Sequence, residues 1–468
     1  MIVTTDINPQ YRIRVFYISL LGFSLSILAS FWIDSSFIAQ ASSVVGTATV
    51  IQFLVAGFFM LLAWKTYPRT ESAEFKTNSQ PNPFLFILLL GIFLRILLIP
   101  IDSYTSNDTT RYLFDGKLAY EGIDPYQTAH DAAELQVLKQ QWAPPEEHAK
   151  YVTLYPPLAL ALFALSASDG IEYAPLTWKL IVTFFSILTL LLAASLLRAL
   201  KRKHYLPLIA LSPLLILEAG VGAHLDTLSA FSVTLIAYCL WMKKPTLLGI
   251  SIAIGTAIKL LPLALLMPIF LLAFFKRKFA FAFITAFSTL FGLILIYGST
   301  FALGFKPIGS IGIFFQKWRF GSPVFSFLEN NLSNPALLIV LAILFISGLV
   351  AISTYLYCSK AESHNEQYDK LLSAMQYVMA LPLILSPVIF SWYLMPLAVL
   401  AALQPKPWLL AWILLAPLSY EVLNQFLCCS VWQPALWPLV TLATAIIFAL
   451  LSPIFSKHIM PTNIKRSF

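Results

Sequence analysis

Charge is scarce in this sequence: Asp, Glu, Lys and Arg make up 11% of 468 residues, against 59% hydrophobic, and the mean hydropathy is +0.80. A soluble globular chain carries about twice that share of charge, so most of this chain has lipid for a solvent. Cysteine is nearly absent. Cys239, Cys358, Cys428 and Cys429 fall in no metal-ligand or redox spacing, which predicts neither a disulfide framework nor thiol chemistry. A Gly-rich phosphate loop is missing, which argues against a nucleotide-linked substrate. No stretch is long enough for a separate soluble catalytic domain, because apolar runs recur from near residue 15 to near residue 455. The run 15–33 follows Arg12 and Arg14 and has no small-residue cleavage site, so it reads as a retained first span.

What is present is a series of apolar segments near 15–33, 46–64, 84–101, 174–198, 206–221, 226–242, 246–260, 261–275, 279–298, 335–357, 372–389, 391–404, 408–426 and 433–455. They predict an all-α polytopic membrane protein of about 14 transmembrane segments, with residues 1–468 forming one integral membrane domain. Several segments between 206 and 275 fall short of the ~20 residues a crossing needs at 1.5 Å per residue, so they read as tilted or broken helices around a cavity. The segment 154–168 is also too short to span and reads as a helix partly in the outer leaflet.

The net charge of +8 implies orientation, not nucleic acid, because the basic residues come as short clusters between apolar runs. With a cytoplasmic N-terminus, clusters such as Arg198/Lys201/Arg202/Lys203, Lys243/Lys244, Lys276/Arg277/Lys278 and Lys457/Lys465/Arg466 all fall inside, as do twenty of the thirty Lys and Arg. Eight lie outside and two, Arg95 and Lys259, within spans. The expected location is the inner (plasma) membrane, with both termini cytoplasmic.

Residues 102–173 then form an external loop. Its aromatic residues, Tyr104 to Tyr155, predict order, with one helix over about 107–121 and another over 131–142, both lying on the membrane surface. In the first, Asp108, Arg111, Tyr112 and Asp115 share a face at i, i+3, i+4 and i+7. A carboxylate there can take a proton from a hydroxyl while a cation and a phenol orient the reactants. Equally, Asp108 can complement the helix dipole and Asp115 can pair with Arg111. Further polar groups recur at later external turns: Glu218, His224 and Asp226, then Lys259, then Lys317 and Arg319. Lys259 lies within a span, where a cation is costly and faces a cavity or snorkels to the surface. His224 serves either a ligand or a hydrogen bond to Asp226 or backbone. Arg95 is placed to brace the bundle against Asp102 or Glu218. Trp392 and Tyr393 suit an interfacial belt.

The run Asn107-Asp108-Thr109-Thr110-Arg111-Tyr112-Leu113-Phe114-Asp115-Gly116, with Gly122-Ile123-Asp124-Pro125-Tyr126 and Tyr155-Pro156-Pro157-Leu158, resembles the first external loop of polyprenol-phosphate-mannose-dependent mannosyltransferases of the GT-C superfamily. His224-Leu225-Asp226, Lys259-Leu260-Leu261-Pro262, Trp318-Arg319-Phe320-Gly321-Ser322 and Trp392-Tyr393 are similar to later elements of that family, in the same order. The resemblance implies Asp108 as the catalytic carboxylate, with Lys259, His224 and Arg319 near a lipid-linked phosphate. Arg111, Tyr112, Asp115, Tyr126, Asp226, Trp392 and Tyr393 then join the substrate-binding set. It also implies a hexose, mannose in that family, moved with inversion from a polyprenyl phosphate to a glycan or glycolipid on the non-cytoplasmic face. No cofactor is needed, and a divalent cation is not indicated; membrane lipid is a partner and nucleic acid is not. Two departures stand out: Phe390-Ser391 replaces the His-Pro common before the Trp-Tyr pair, and Asn107 stands where many relatives carry a second carboxylate. The other class that suits broken helices and intramembrane charge is a transporter or flippase of lipid-linked sugars. The chain shows no convincing internal repeat of the kind that class favours.

Overall fold

The computed structural model describes residues 9–34, 42–68, 82–429 and 431–433, with five positions between 440 and 447. Arg69, Lys76, most of the segment 433–455 and the basic cluster at 457–466 lie outside the described residues. Among those described, the chain is helical with no β-strand, and one parallel bridge joins Phe320 to Val388.

Among the described residues six helices are long and apolar enough to cross a membrane: Gln10–Trp32, Val45–Thr66, Gly170–Ala199, Phe279–Ala302, Asn334–Tyr357 and Pro407–Cys429. Six more are apolar but shorter, including Pro83–Leu97, Asp226–Trp241, Pro245–Ile258 and Leu261–Phe275. Proline sets many of their starts, because at the first helical position its missing N–H costs nothing; Pro83, Pro157, Pro207, Pro213, Pro245, Pro323 and Pro407 all sit there. The 279–302 and 334–357 helices turn large side chains such as Phe287, Ile294 and Leu338 outward, as lipid contact requires. The Met395–Leu403 helix is buried along its whole length and marks the centre of the bundle.

Proline also divides the middle of the chain. The segment 206–221 becomes two short helices, Pro207–Ala210 and Pro213–Gly220. Pro213 has no N–H to offer the carbonyl of Ile209, four residues back, so that oxygen needs another donor. Arg95 supplies it: Nη2 donates to Ile209 O (3.1 Å) and Nη1 to Ala210 O (3.0 Å), with Nε on Ser186 Oγ. The cation therefore braces the bundle through orphaned carbonyls and Ser186, not through Asp102 or Glu218 as the sequence suggests. A second break, at 221–225, is held the same way from the 170–199 helix. Lys179 Nζ donates to Gly220 O (3.0 Å) and Trp178 Nε1 to Ala223 O (2.8 Å). Polar groups inside the bundle are thus matched to helix interruptions, where free backbone must be satisfied.

The loop after residue 101 is ordered. Its first helix is Asp108–Tyr120, ended by Gly122 in the left-handed region (φ 75°). It packs against the Pro157–Ala167 helix so closely that a Cβ on Gly116 would sit 2.3 Å from the Phe163 carbonyl. The second helix is shorter than predicted, Gln136–Trp142 after a 3-10 turn at Ala133–Leu135. Cys428 and Cys429 are joined by a disulfide between adjacent residues, which the cysteine spacing did not lead us to expect.

Candidate active site

A cavity of about 860 Å³ opens where the 108–120 helix meets the broken helices. Each wall follows from local sequence. The 108–120 helix begins at Asp108, whose backbone N–H donates to Ser106 Oγ (3.4 Å), and its first turns present Asp108, Arg111 and Tyr112. The 245–258 helix stops before Pro262, whose ring clashes with the carbonyl four residues back; Lys259 therefore leaves in an extended conformation with its side chain in the cavity. The turn carrying Trp318 and Arg319 is pinned beside Phe390 and Trp392 by two hydrogen bonds, Phe320 N–H to Pro387 O (3.1 Å) and Ile389 N–H to Phe320 O (2.8 Å). Gly321 makes that turn possible: its φ is 61° and a Cβ would meet Ile389 O at 2.3 Å.

Of the residues singled out in the sequence, Asp108, Arg111, Tyr112, Asp226, Lys259, Lys317, Arg319, Trp392 and Tyr393 line this cavity. Asp108 is half-buried and accepts one long hydrogen bond from Tyr112 Oη (3.3 Å), which leaves acceptor capacity facing the cavity. Withdrawal from water raises its carboxyl above the ordinary range, with Arg111 and then the Tyr112 hydroxyl offsetting part of that rise. Arg111 is 4% exposed, lies over the Tyr155 ring (5.8 Å), and makes no ion pair among the described residues. Its Nε has no hydrogen-bond partner there either. Lys259 Nζ contacts Asp226 Oδ1 at 2.5 Å and stands 4.0 Å above the Tyr393 ring. Arg319 is held by Glu329 through both carboxylate oxygens (2.6–2.9 Å).

Asp115, Tyr126 and His224 stand behind the cavity wall. Asp115 is fully buried and accepts from Thr153 Oγ1 (2.7 Å) and pairs with His130 Nε2 (2.7 Å); it does not pair with Arg111. Tyr126 Oη donates to Tyr155 O (2.9 Å) and so fixes the strand-like passage 153–156 across the helix. His224 Nε2 lies 3.0 Å from Ser106 Oγ, and the ring meets Trp392 edge-on at 4.0 Å. It therefore touches Ser106, ahead of the helix start, and not Asp226.

Several lining residues carried no sequence signal. Glu147, from a 3-10 turn at Glu146–His148, reaches the wall and accepts from Asn107 Nδ2 (2.6 Å). A second carboxylate thus stands next to Asn107 by folding, although none stands there in sequence. Phe390, in place of the common His, stacks on Trp392 at 4.4 Å and on Phe320 at 4.5 Å, so that corner is aromatic instead of polar.

The geometry offers a carboxylate with a free lone pair, cations from three separate elements (Arg111, Lys259, and Lys317 with Arg319), and an aromatic floor. No curated protein matches the chain. Residues 15–276 match the N-terminal domain of the alpha-(1->6)-mannopyranosyltransferases (the MptA_B family), and Asp108, Arg111, Tyr112, Asp226 and Lys259 all fall in that segment, whereas Arg319, Trp392 and Tyr393 close the cavity from beyond it. That match spans more than half of the sequence, and on it the chain belongs to the alpha-(1->6)-mannopyranosyltransferase family.

Proposed function

We propose that the cavity is the active site of a GT-C-type enzyme that moves mannose from a polyprenyl phosphate to a hydroxyl of a glycan or glycolipid on the non-cytoplasmic face. The observation that carries this reading is Arg111, a buried cation on the cavity wall beside Asp108 with no carboxylate of its own. A buried unpaired charge is costly, and an anionic ligand relieves that cost. The phosphate of the carrier is such a ligand, and an aromatic floor suits a sugar ring and the first isoprene units.

In this reading Asp108 accepts the proton of the acceptor hydroxyl as its oxygen attacks the anomeric carbon. The bond from that carbon to the phosphate oxygen breaks, and the electron pair leaves with the polyprenyl phosphate. Arg111 and Lys259 stabilise the second negative charge that develops there. Phosphate is already a good leaving group, so no general acid is called for, and direct attack opposite the phosphate inverts the anomeric centre. Asp226 holds Lys259 in place and tempers its charge. The chemistry draws on no cofactor.

The orientation follows the charges. The 226–241 and 245–258 helices run from the cavity to Lys243 and Lys244, which the positive-inside rule puts in the cytoplasm with both termini. We keep about 14 crossings as the expected number, of which the six long and six shorter apolar helices among the described residues supply at most twelve. Purified full-length protein given radiolabelled polyprenyl-phosphate-mannose and a mannoside acceptor is the test. Label should move to the acceptor, and GDP-mannose should not replace the lipid donor. Passage of intact donor across a vesicle membrane without bond cleavage would instead make the protein a flippase.

A further inference from the structure

At the other end of the same helices lies a second cavity, about 310 Å³, that the transfer chemistry does not use. Its floor is apolar, built from Leu240, Ile269, Leu272 and Leu371. Its rim carries Lys243, Lys276, Lys278 and His364, and no Asp or Glu lines it. The lysines come from two separate places, the turn after the 226–241 helix and the turn after Leu266–Phe275, and His364 stands at the start of His364–Ile384. Lys243 holds a left-handed backbone (φ 53°) that glycine adopts with less strain. Two of the lysines are satisfied by neutral oxygens: Lys276 Nζ donates to Ser359 O (3.1 Å) and Lys278 Nζ to Gln367 Oε1 (3.0 Å). His364 stacks on Trp241 at 4.6 Å, and burial together with Lys243 holds its imidazole below the ordinary range. Three like charges therefore converge on a half-apolar cleft without an anion to balance them. The cleft also takes Phe281 into its wall, next to the outward-facing Phe279 and Phe283 of the 279–302 helix, so its rim adjoins a lipid-facing surface.

We propose that this cavity binds one anionic phospholipid, with the headgroup phosphate among Lys243, Lys276 and Lys278 and the upper part of an acyl chain on the apolar floor. The charge selects the phosphate, and the floor beside a lipid-facing helix selects a lipid over a free anion. The site is separated from the catalytic cavity by the length of the 226–241 helix, roughly 24 Å at 1.5 Å per residue. Its ligand is thus not the sugar donor bound at Asp108.

Lipid binding is read by native mass spectrometry of the full-length protein in mild detergent, titrated with phosphatidylglycerol, phosphatidylcholine, glycerol 3-phosphate or inorganic phosphate. One phosphatidylglycerol should bind in preference to phosphatidylcholine, and neither water-soluble phosphate should displace it at millimolar concentration. The K243Q/K276Q/K278Q variant should lose that preference by on the order of a hundredfold, about fivefold per lysine. The corresponding triple arginine variant should keep it. If the triple glutamine variant does not fold, the three single variants carry the same test at about fivefold each. Equal binding of the two lipids, or an undiminished preference in a folded glutamine variant, overturns the proposal, as does displacement by inorganic phosphate. Because the readout is lipid retention and not sugar transfer, its outcome is separate from the fate of the catalytic reading.

Discussion

Asp108 and Asp115 lie two turns apart on one face of one helix and in opposite surroundings. Asp108 faces an open cavity and accepts a single long hydrogen bond, from Tyr112 at 3.3 Å. Asp115 is sealed from solvent and accepts from Thr153 while paired with His130, both at 2.7 Å. What separates them is the passage 153–156, which crosses the helix between the two carboxylates and is tied down by Tyr126 and by the edge-on packing of Tyr155 on Tyr112 (5.1 Å). The first carboxylate keeps a lone pair facing the cavity, and the second is committed to tying the 102–156 segment together through His130 and Thr153. Two identical residues on one helix face thus divide into an open and a sealed carboxylate through the path of a loop, and under the proposed function the open one is the reactive one.

Asp108→Asn tests the reactive half of this comparison and carries the largest expected effect. Asn keeps the shape of Asp, and the capping position belongs to Asn107, so folding and donor binding should persist. Loss of a general base should lower single-turnover transfer on the order of a hundredfold or more. The same role fixes the sign of the pH dependence. The deprotonated carboxylate is the active form, and its pKa is raised, so the wild-type rate should fall as pH drops through a value above the ordinary carboxylate range. A pH profile of the first turnover checks this; near-normal transfer by Asp108→Asn removes the assignment.

Asp115→Ala addresses the structural half. It leaves His130 and Thr153 without their partner in a dry pocket, which should cost about 2–4 kcal/mol of stability, while transfer per folded molecule stays within a few-fold of wild type. Thermal melting and single-turnover rates measured side by side separate the two quantities. A rate loss as large as that of Asp108→Asn, at unchanged melting temperature, would erase the distinction between the two carboxylates.

Much of the first half of that comparison was legible in the sequence, and little of the second. The Asp108–Tyr120 helix and its stop at Gly122 follow from local rules, as do the proline breaks that bring Lys259 to the cavity. The division of the helix face does not, because it depends on how residues 143–156 return across it. The same holds for Glu147, whose position next to Asn107 has no counterpart in sequence spacing. Arg95 is a related case. Sequence shows a buried cation and nearby acids, but the partner is chosen by which carbonyls Pro213 and the end of the preceding helix leave unpaired. Charges are visible in a sequence, whereas orphaned backbone groups become visible only once the helix ends are placed.

Lys259 extends the comparison to the cationic side of the site, with a smaller expected effect. Lys259→Ala removes a charge from the phosphate region and leaves Asp226, 2% exposed, without its ion-pair partner. Donor kcat/KM should fall by tens of fold, while Lys259→Arg, which keeps the charge but changes its shape, should lose only several-fold. Equal, wild-type donor use by both variants would shift the phosphate contact to Arg111 and the other cations of the lining, Lys317 and Arg319.

The smallest effect concerns Arg319, the cation on the cavity wall that already has a full partner. Glu329 grips its Nε and Nη2 at 2.6–2.9 Å, and Nη1 is occupied by the carbonyls of Phe315 and Trp318. A guanidinium in that state has four of its five N–H groups engaged and keeps one, on Nη2, for a phosphate, which contrasts with Arg111, whose Nε is unpartnered. Both members of the Arg319–Glu329 pair are about one-third exposed, so the pair itself contributes on the order of 1 kcal/mol or less. Glu329→Gln keeps the shape of the partner and removes its charge, freeing Arg319 to turn toward the cavity. If Arg319 is an auxiliary phosphate contact restrained by Glu329, donor KM should fall a few-fold with kcat unchanged, and the gain should shrink at high salt as screening weakens an exposed charge. If Arg319 only fastens its turn to the cavity rim, KM should hold steady and melting temperature alone should drop slightly. Steady-state kinetics at two ionic strengths, with melting curves in parallel, decide between a cation held in reserve and one with a purely structural task.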